Sequence, residues 1–223
     1  MPHRNRNDDK SVLVIGLGRF GSSLALELVN RGWDVLGVDT SPRLVQTYAD
    51  ALTHTVIADA TDEEALRQIG ASNFNRAVVA IGTHLEESIL ATSQLVDLGV
   101  STIWAKATSR RHGRILEQVG AHHVVLPEHD MGERVAHLLS GQMLDYVELE
   151  EGFSLGKTKA PKELLGKSLR ETGVRQEYGI TVVSVKRMGA EFTYATQETV
   201  LNKGDVIVVA GRTDDVERFS EIV

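Results

Sequence analysis

A strand–glycine–helix junction near the start of the chain constrains the fold more than any other feature. The apolar run 12–15 leads into Gly16-Leu17-Gly18-Arg19-Phe20-Gly21, and residues 22–31 follow with Leu24, Leu28 and Val29 on one helical face. A bare G-x-G-x-x-G is a weak signal, but between a strand and an amphipathic helix it specifies a local geometry. Gly16 allows the tight turn, Gly18 lets the backbone approach a pyrophosphate, and Gly21 lets helix pack on strand. The phosphates would sit at the helix N-terminus, where unpaired N–H groups and the dipole favour anions. Asp39 ends the next strand, near the ~20-residue offset at which an acid binds ribose hydroxyls. An acid there repels a 2′-phosphate, which argues against NADP. The bland alternative is that the glycines only shape a tight α/β turn.

The rest of the first half repeats the alternation. Strand-like runs fall at 12–15, 35–38, 55–58, 77–81, 102–106 and 123–126, and helix-like segments at 22–31, 42–51, 62–69, 85–98 and 109–119. Ser41 before Pro42 reads as a cap and a first-turn proline. Asp62, Glu63 and Glu64 suit the positive end of a helix dipole, and Gly120 is a C-cap. This pattern predicts an α/β domain with a Rossmann-like, doubly wound parallel sheet. A further helix is expected over 129–144, with Met131, Val135, Leu138, Leu139 and Met143 in a broad apolar stripe. It is either a last helix packed on the sheet or a crossover helix buried against a second subunit.

After Tyr146 the composition changes. A loop containing Gly156, Pro161 and Gly166 is expected, then a short helix near 168–176, strands at 180–186, 191–195 and 206–210, and a helix over 214–222 capped by Thr213. The reading is therefore a disordered leader over 1–10, a nucleotide-binding domain over 11–145, and a small C-terminal α+β domain over 146–223.

Composition excludes whole classes of chemistry. There is no cysteine, so disulfides, Cys-ligated zinc, iron–sulfur clusters and thiol catalysis are ruled out. The net charge of −7 argues against a nucleic-acid partner. No apolar run is long enough to span a bilayer, and the polar start is no signal peptide, so the expected location is the cytoplasm. There is no G-x-x-x-x-G-K-[ST] loop. No tyrosine has a lysine four residues on, and the region after Tyr146 is small for a substrate domain, which weakens an NAD-dependent oxidoreductase reading.

In a doubly wound sheet, ligands bind outside the carboxyl ends of the strands. Asp59-Ala60-Thr61 ends the third strand and would hold an adenine edge, or simply cap the helix from Asp62. Arg19 either recognises extra phosphate charge, across a subunit interface, or is a solvated loop arginine. Lys106 closes the fifth strand at the same rim and suits phosphate. Ile81-Gly82 closes the fourth, where a glycine leaves room for a ligand. Glu128 would reach a metal ion on nucleotide phosphates, magnesium or calcium, or is an acid at a helix start.

Taken together, residues 14–21, Asp39, Asp59-Ala60-Thr61, residues 103–106 and residues 127–132 resemble the RCK domains of bacterial potassium-uptake regulators of the KtrA/TrkA type. Tyr178-Gly179 and residues 203–211 resemble the C-terminal domain of that family. The resemblance runs from Ser11 to near the end of the chain. It implies a cytosolic gating subunit, not an enzyme, that dimerises, forms an octameric ring and docks beneath a membrane potassium-translocating subunit. ATP or ADP, in some members NAD or NADH, would bias the shape of the ring. Gly16, Gly18 and Gly21 match the phosphate loop, Asp39 the ribose acid, Asp59 the adenine-side motif and Lys106 the phosphate-rim lysine. Arg19 matches an arginine reaching the γ-phosphate of the neighbouring subunit, and Glu128 an acid associated with a cation between two nucleotides. Some relatives bind cyclic di-AMP at the C-terminal dimer interface. Arg175, Ile180 and Val182 fit that pattern, while Gly173, Arg170 and Thr181 depart from it. A sensor module of another potassium carrier is the remaining alternative.

Overall fold

The computed structural model describes residues 10–139 and 143–223. The expected leader therefore lies outside the described residues except for Lys10.

The first compact unit extends to His129. Its strands are β1 (Ser11–Ile15), β2 (Asp34–Asp39), β3 (His54–Ile57), β4 (Arg76–Val79), β5 (Thr102–Lys106) and β6 (His123–Val125). The helices between them are α1 (Arg19–Asn30), α2 (Pro42–Tyr48), α3 (Glu63–Gln68), α4 (Leu85–Asp97) and α5 (Arg110–Val119). All six strands are parallel, in the order β3-β2-β1-β4-β5-β6. The order reverses between β1 and β4, and a crevice opens at their carboxyl ends. The sheet is apolar on both faces because helices cover both. Val12, Val14 and Val35 pack beneath one helical layer, while Leu13, Ile15 and Ile103 pack beneath the other. Ser41, Asp62 and Ser109 cap α2, α3 and α5, as polar side chains that satisfy first-turn N–H groups do.

The second unit begins at Asp130, inside α6 (Pro127–Leu139); the sequence reading sets the change of domain after 145. It contains β7 (Met143–Glu150), β8 (Phe153–Lys159), α7 (Leu169–Thr172), α8 (Val174–Tyr178), β9 (Thr181–Lys186), β10 (Phe192–Tyr194), β11 (Val206–Arg212) and α9 (Thr213–Ser220). The sheet is antiparallel, β10-β9-β11-β8-β7. One face carries the core, centred on Ile180, Leu201, Ile207 and Phe219.

Four expectations need correction. The helix expected over 129–144 stops at Leu139, and Met143 begins a strand. None of its described residues is buried: Met131, Val135 and Leu139 are exposed, and Leu138 packs at the edge of the second unit's core. Gly156 lies in β8, not a loop. Its core face reads Ser154, Gly156, Thr158, all buried, so the usual apolar alternation is hidden. A Cβ on Gly156 would sit 2.7 Å from Val216 Cγ1 of α9, which is why no side chain stands there. The helix expected near 168–176 breaks at Gly173, which adopts φ +59° and separates α7 from α8. Thr213 is the first residue of α9 rather than its cap, and Arg212 occupies the cap position without a side-chain bond.

Candidate functional site

A cleft of about 710 Å³ lies at the carboxyl ends of the first sheet's strands. It is lined by Gly16, Gly18, Arg19 and Phe20 from the glycine loop and by Asp39 from β2. Asp59, Ala60 and Thr61 follow β3, Ile81 and Gly82 follow β4, Lys106 ends β5 and Glu128 lies in the first turn of α6. Of the residues expected at this site, Gly21 alone is not in the lining.

The three loop glycines have different physical reasons. Gly16 has φ +95°, and a Cβ there would press against the Ala80 backbone at 3.1 Å. A Cβ on Gly21 would lie 1.8 Å from the Gly16 carbonyl oxygen. Both are demanded by the turn itself. Gly18 is not: its φ and ψ are −64° and −172°, and a Cβ would meet nothing within 4 Å. No neighbour demands its bare α-carbon, which leaves the backbone open to something approaching from outside. It also occupies the N-cap of α1 with no side-chain cap and no acid in the first turn, leaving helix N–H groups and the positive dipole end to the cleft.

Asp39 does more than the sequence reading asks. Its Oδ2 accepts from the Leu17 N–H at 2.7 Å and its Oδ1 from the Ser41 N–H at 2.8 Å. The carboxylate ties the glycine loop to the start of α2. Since a carboxylate has about four acceptor positions, ribose hydroxyls still find acceptors there. At the β3 end, Asp59 Oδ1 accepts from the Thr61 N–H and Oγ1–H at 2.9 and 2.7 Å. Asp62, not Asp59, caps the following helix, so the cap reading of Asp59 falls away.

The opposite rim is held by a pair 22 residues apart in sequence. Lys106 Nζ donates to Glu128 Oε1 at 2.6 Å; the lysine side chain is 10 % exposed and the glutamate 65 %. Lys106 Nζ also lies 5.8 Å from the centre of the Phe20 ring. A Cβ on Gly82 would stand 3.0 Å from this ammonium, so that glycine makes room for the lysine, where the sequence reading reserved the space for a ligand. The hydrogen bond from Lys106 holds the Glu128 carboxyl below its ordinary range; partial burial opposes this, and Arg19 adds a smaller attraction. A depressed folded-state pKa means the pair contributes above the ordinary glutamate range and is lost as pH falls through the depressed value.

As a metal site the arrangement is incomplete. Among the described residues no group of three His, Cys, Asp or Glu side chains converges, and Glu128 already faces a lysine. A divalent cation would need nucleotide phosphates for most of its ligands, as magnesium often does. Glu128→Gln separates the two roles. In chelator, the variant is expected to bind nucleotide several-fold more tightly in a calorimetric titration, because Lys106 is released toward phosphate. If Glu128 is a cation ligand, that gain disappears or reverses when magnesium is present.

The sequence reading gives several cleft residues no role at this site: Thr40, Arg43, Tyr48, His84, Glu87 and Thr108. Most stand just past a strand end or in the helix turn that follows. Applying the strand-end rule to every strand, rather than to motif matches, would have found them.

The residues matched to a cyclic di-AMP site lie in the second unit along a smaller hollow of about 530 Å³. Arg175 Nε and Nη2 donate to Thr181 Oγ1 at 3.1 and 3.0 Å. Ile180 and Val182 line the same hollow, but both are buried members of the core. Arg170 and Gln197 complete its polar side.

The chain matches the TrkA-N domain over residues 12–127 and the TrkA-C domain over residues 158–223. It is 41% identical over 216 residues to Ktr system potassium uptake protein C of Bacillus subtilis, covering 96% of this chain and 97% of that one. Ktr system potassium uptake protein A of the same organism is 38% identical over 215 residues, again with 96% and 97% coverage. The crystal structure of the GsuK RCK domain superposes on the whole chain with a TM-score of 0.67 at 18% identity, and this chain spans 49% of that one. The last likeness is one of fold.

Proposed function

The chain belongs to the family that joins a TrkA-N domain to a TrkA-C domain, and from that premise we propose that it is the nucleotide-sensing gating subunit of a potassium-uptake system. The observation that carries the reading is Gly18: a glycine no intramolecular contact requires, at the bare N-terminus of α1, facing an open cleft. That is what a pyrophosphate needs and what a purely structural turn does not.

The ligand is an adenine nucleotide, ATP or ADP ahead of NAD or NADH. Asp39 receives the ribose, Asp59 with Ala60 and Thr61 the adenine edge, and the α1 N-terminus the first two phosphates. Lys106 and Arg19 serve phosphates further along, Arg19 on the nucleotide of a neighbouring subunit. A magnesium or calcium ion bridging phosphates would take Glu128 as one oxygen ligand. A second ligand, cyclic di-AMP, would sit in the hollow beside Arg175 and Thr181. The assembly is a homodimer built into an octameric ring on a Ktr- or Trk-type membrane subunit, at the cytoplasmic face; the potassium-uptake relatives support such a partner. Among the described residues no helix is long and apolar enough to cross a membrane. Ligands act by binding two ring conformations with different affinities, so that occupancy shifts the population. No acid–base pair is needed, and the protein is not an enzyme.

Calorimetric titration with ATP, ADP, NAD and NADH tests this. Arg19→Ala is expected to abolish most of the preference for ATP over ADP, a loss of about tenfold for one charge-assisted phosphate contact, while ADP affinity changes little. A preference for NADH that Arg19→Ala leaves untouched would instead favour a redox-cofactor sensor. No binding of any of the four would remove the reading.

A further inference from the structure

The second unit buries one face of its antiparallel sheet and leaves the other open. Cross-strand partners share a face, so the register defines what stands on it. One row runs Lys159, Val206, Lys186, Phe192 across β8, β11, β9 and β10. The next runs Lys157, Val208, Ser184, Tyr194. The side chains that alternate with these, among them Val185, Ile207, Val209 and Thr158, are the buried ones. Tyr194 is 90% exposed and Phe192 is 40% exposed. Lys186 and Lys157 place their ammonium groups 5.6 and 6.0 Å from the centre of the Phe192 ring.

The first row borders the β9–β10 turn. There Met188 projects with 89% exposure beside Arg187. The Lys203-Gly204 turn lies against it, a Cβ on Gly204 falling 3.7 Å from Met188 Cε. Lys159, Lys186, Arg187 and Lys203 thus gather at one end of the sheet, with Glu191 and Asp205 as the acids of its turns. Asp205 is buried and accepts from the Asn202 N–H. Beside Lys157, Asp145 is engaged by Arg134. A basic surface has separated out of a chain whose net charge is −7.

We propose that this open face and its Met188 tip form a contact surface for an anionic lipid bilayer. Positive charge selects an anionic partner. A second copy of the same face is disfavoured, because it would set lysine against lysine. Stacked bases are disfavoured because two ammonium groups already lie over the Phe192 ring. None of Lys157, Lys159, Lys186, Phe192 and Tyr194 lines any of the hollows described, so a peptide finds no slot among them. Exposed Tyr, Phe and Met interleaved with lysine are what a headgroup layer accommodates: aromatic rings settle at the interface and lysine stems reach past it to phosphate. The inference goes beyond the gating reading and does not depend on nucleotide binding.

The test is co-sedimentation of the full-length protein with vesicles of phosphatidylcholine alone or with one-third phosphatidylglycerol, at low and high salt. Retention by the anionic vesicles only, weakened by salt, is expected. Each basic charge near such a surface changes partitioning roughly fivefold, so the triple variant Lys159→Gln, Arg187→Gln, Lys203→Gln should bind about a hundredfold more weakly. Met188→Ser, which alters no charge, should lower retention several-fold. Failure of anionic vesicles to retain the protein overturns the proposal, as does full retention of the triple variant. Equal binding to soluble poly-glutamate with no effect of Met188→Ser would assign the face to an acidic macromolecule instead. Nucleotide titration of the same variants should match wild type, so failure here is distinguishable from failure of the gating reading.

Discussion

Gly21→Ala is expected to destabilise the first unit severely, while Gly18→Ala leaves it stable but poorly able to hold nucleotide. The two residues sit three apart in one loop, and sequence alone treats them alike. At Gly21 the new methyl would lie 1.8 Å from the Gly16 carbonyl oxygen and 2.9 Å from Ala80 Cβ. The first of these is backbone, and Gly16 has little freedom to retreat, since it already holds φ +95° against Ala80. Overpacking of this kind costs about 3 kcal/mol or more, out of the roughly 5–15 kcal/mol that holds a domain. The melting temperature should fall by on the order of 10 °C or more. At Gly18 the methyl enters open space. Its cost is that of a poorer N-cap, under about 1 kcal/mol. It stands, however, where a pyrophosphate must approach backbone, and affinity should fall by about tenfold or more. Circular dichroism melts with calorimetry on both variants separate the effects. Unchanged nucleotide affinity in Gly18→Ala would remove the central support for a phosphate site.

Asp39→Asn should lower both stability and affinity. An ordinary ribose acid would affect binding alone. Here both carboxylate oxygens accept backbone N–H groups, from Leu17 and Ser41. Asparagine keeps one oxygen and turns an NH₂ toward the other donor. An unmatched donor in a partly buried site costs about 1–3 kcal/mol, and the glycine loop loses its tether to α2. Affinity for ATP, ADP, NAD and NADH should fall together, by about 10- to 100-fold, because every one presents the same adenosine ribose. The melting temperature should fall in the same variant. A binding loss with an unshifted melt would mean that the tether is incidental.

The first unit was largely legible in the sequence. Its strands and helices announce themselves through two distinct apolar periods, through Ser41, Asp62 and Ser109 at helix starts, and through the glycines of the first strand–helix junction. The second unit is less legible for a definite reason. The core face of β8 is built from Ser154, Gly156 and Thr158, residues too small and polar to register as a buried strand. The strand is made possible by α9, whose Val216 fills the space above Gly156, and that partner lies sixty residues on.

The candidate site divides along the same line. That a phosphate-binding loop, an acid at the end of β2 and a motif after β3 would meet at one rim follows from sequence, because parallel strands deliver their carboxyl ends to one side whatever the details. What the residues do there had to come from the fold. Lys106 and Glu128 become partners because β5 and the start of α6 converge on that rim. Asp39 becomes a structural tether because the Leu17 and Ser41 N–H groups point at it. The lysine rows of the second sheet exist because β8, β11, β9 and β10 pair in one register, and a shift of one residue would turn them to the core. Periodicity and local turn chemistry are written over a few consecutive residues, so the chain states them outright. Pairing between distant groups depends on how separate elements settle against one another, and only the tertiary structure decides that.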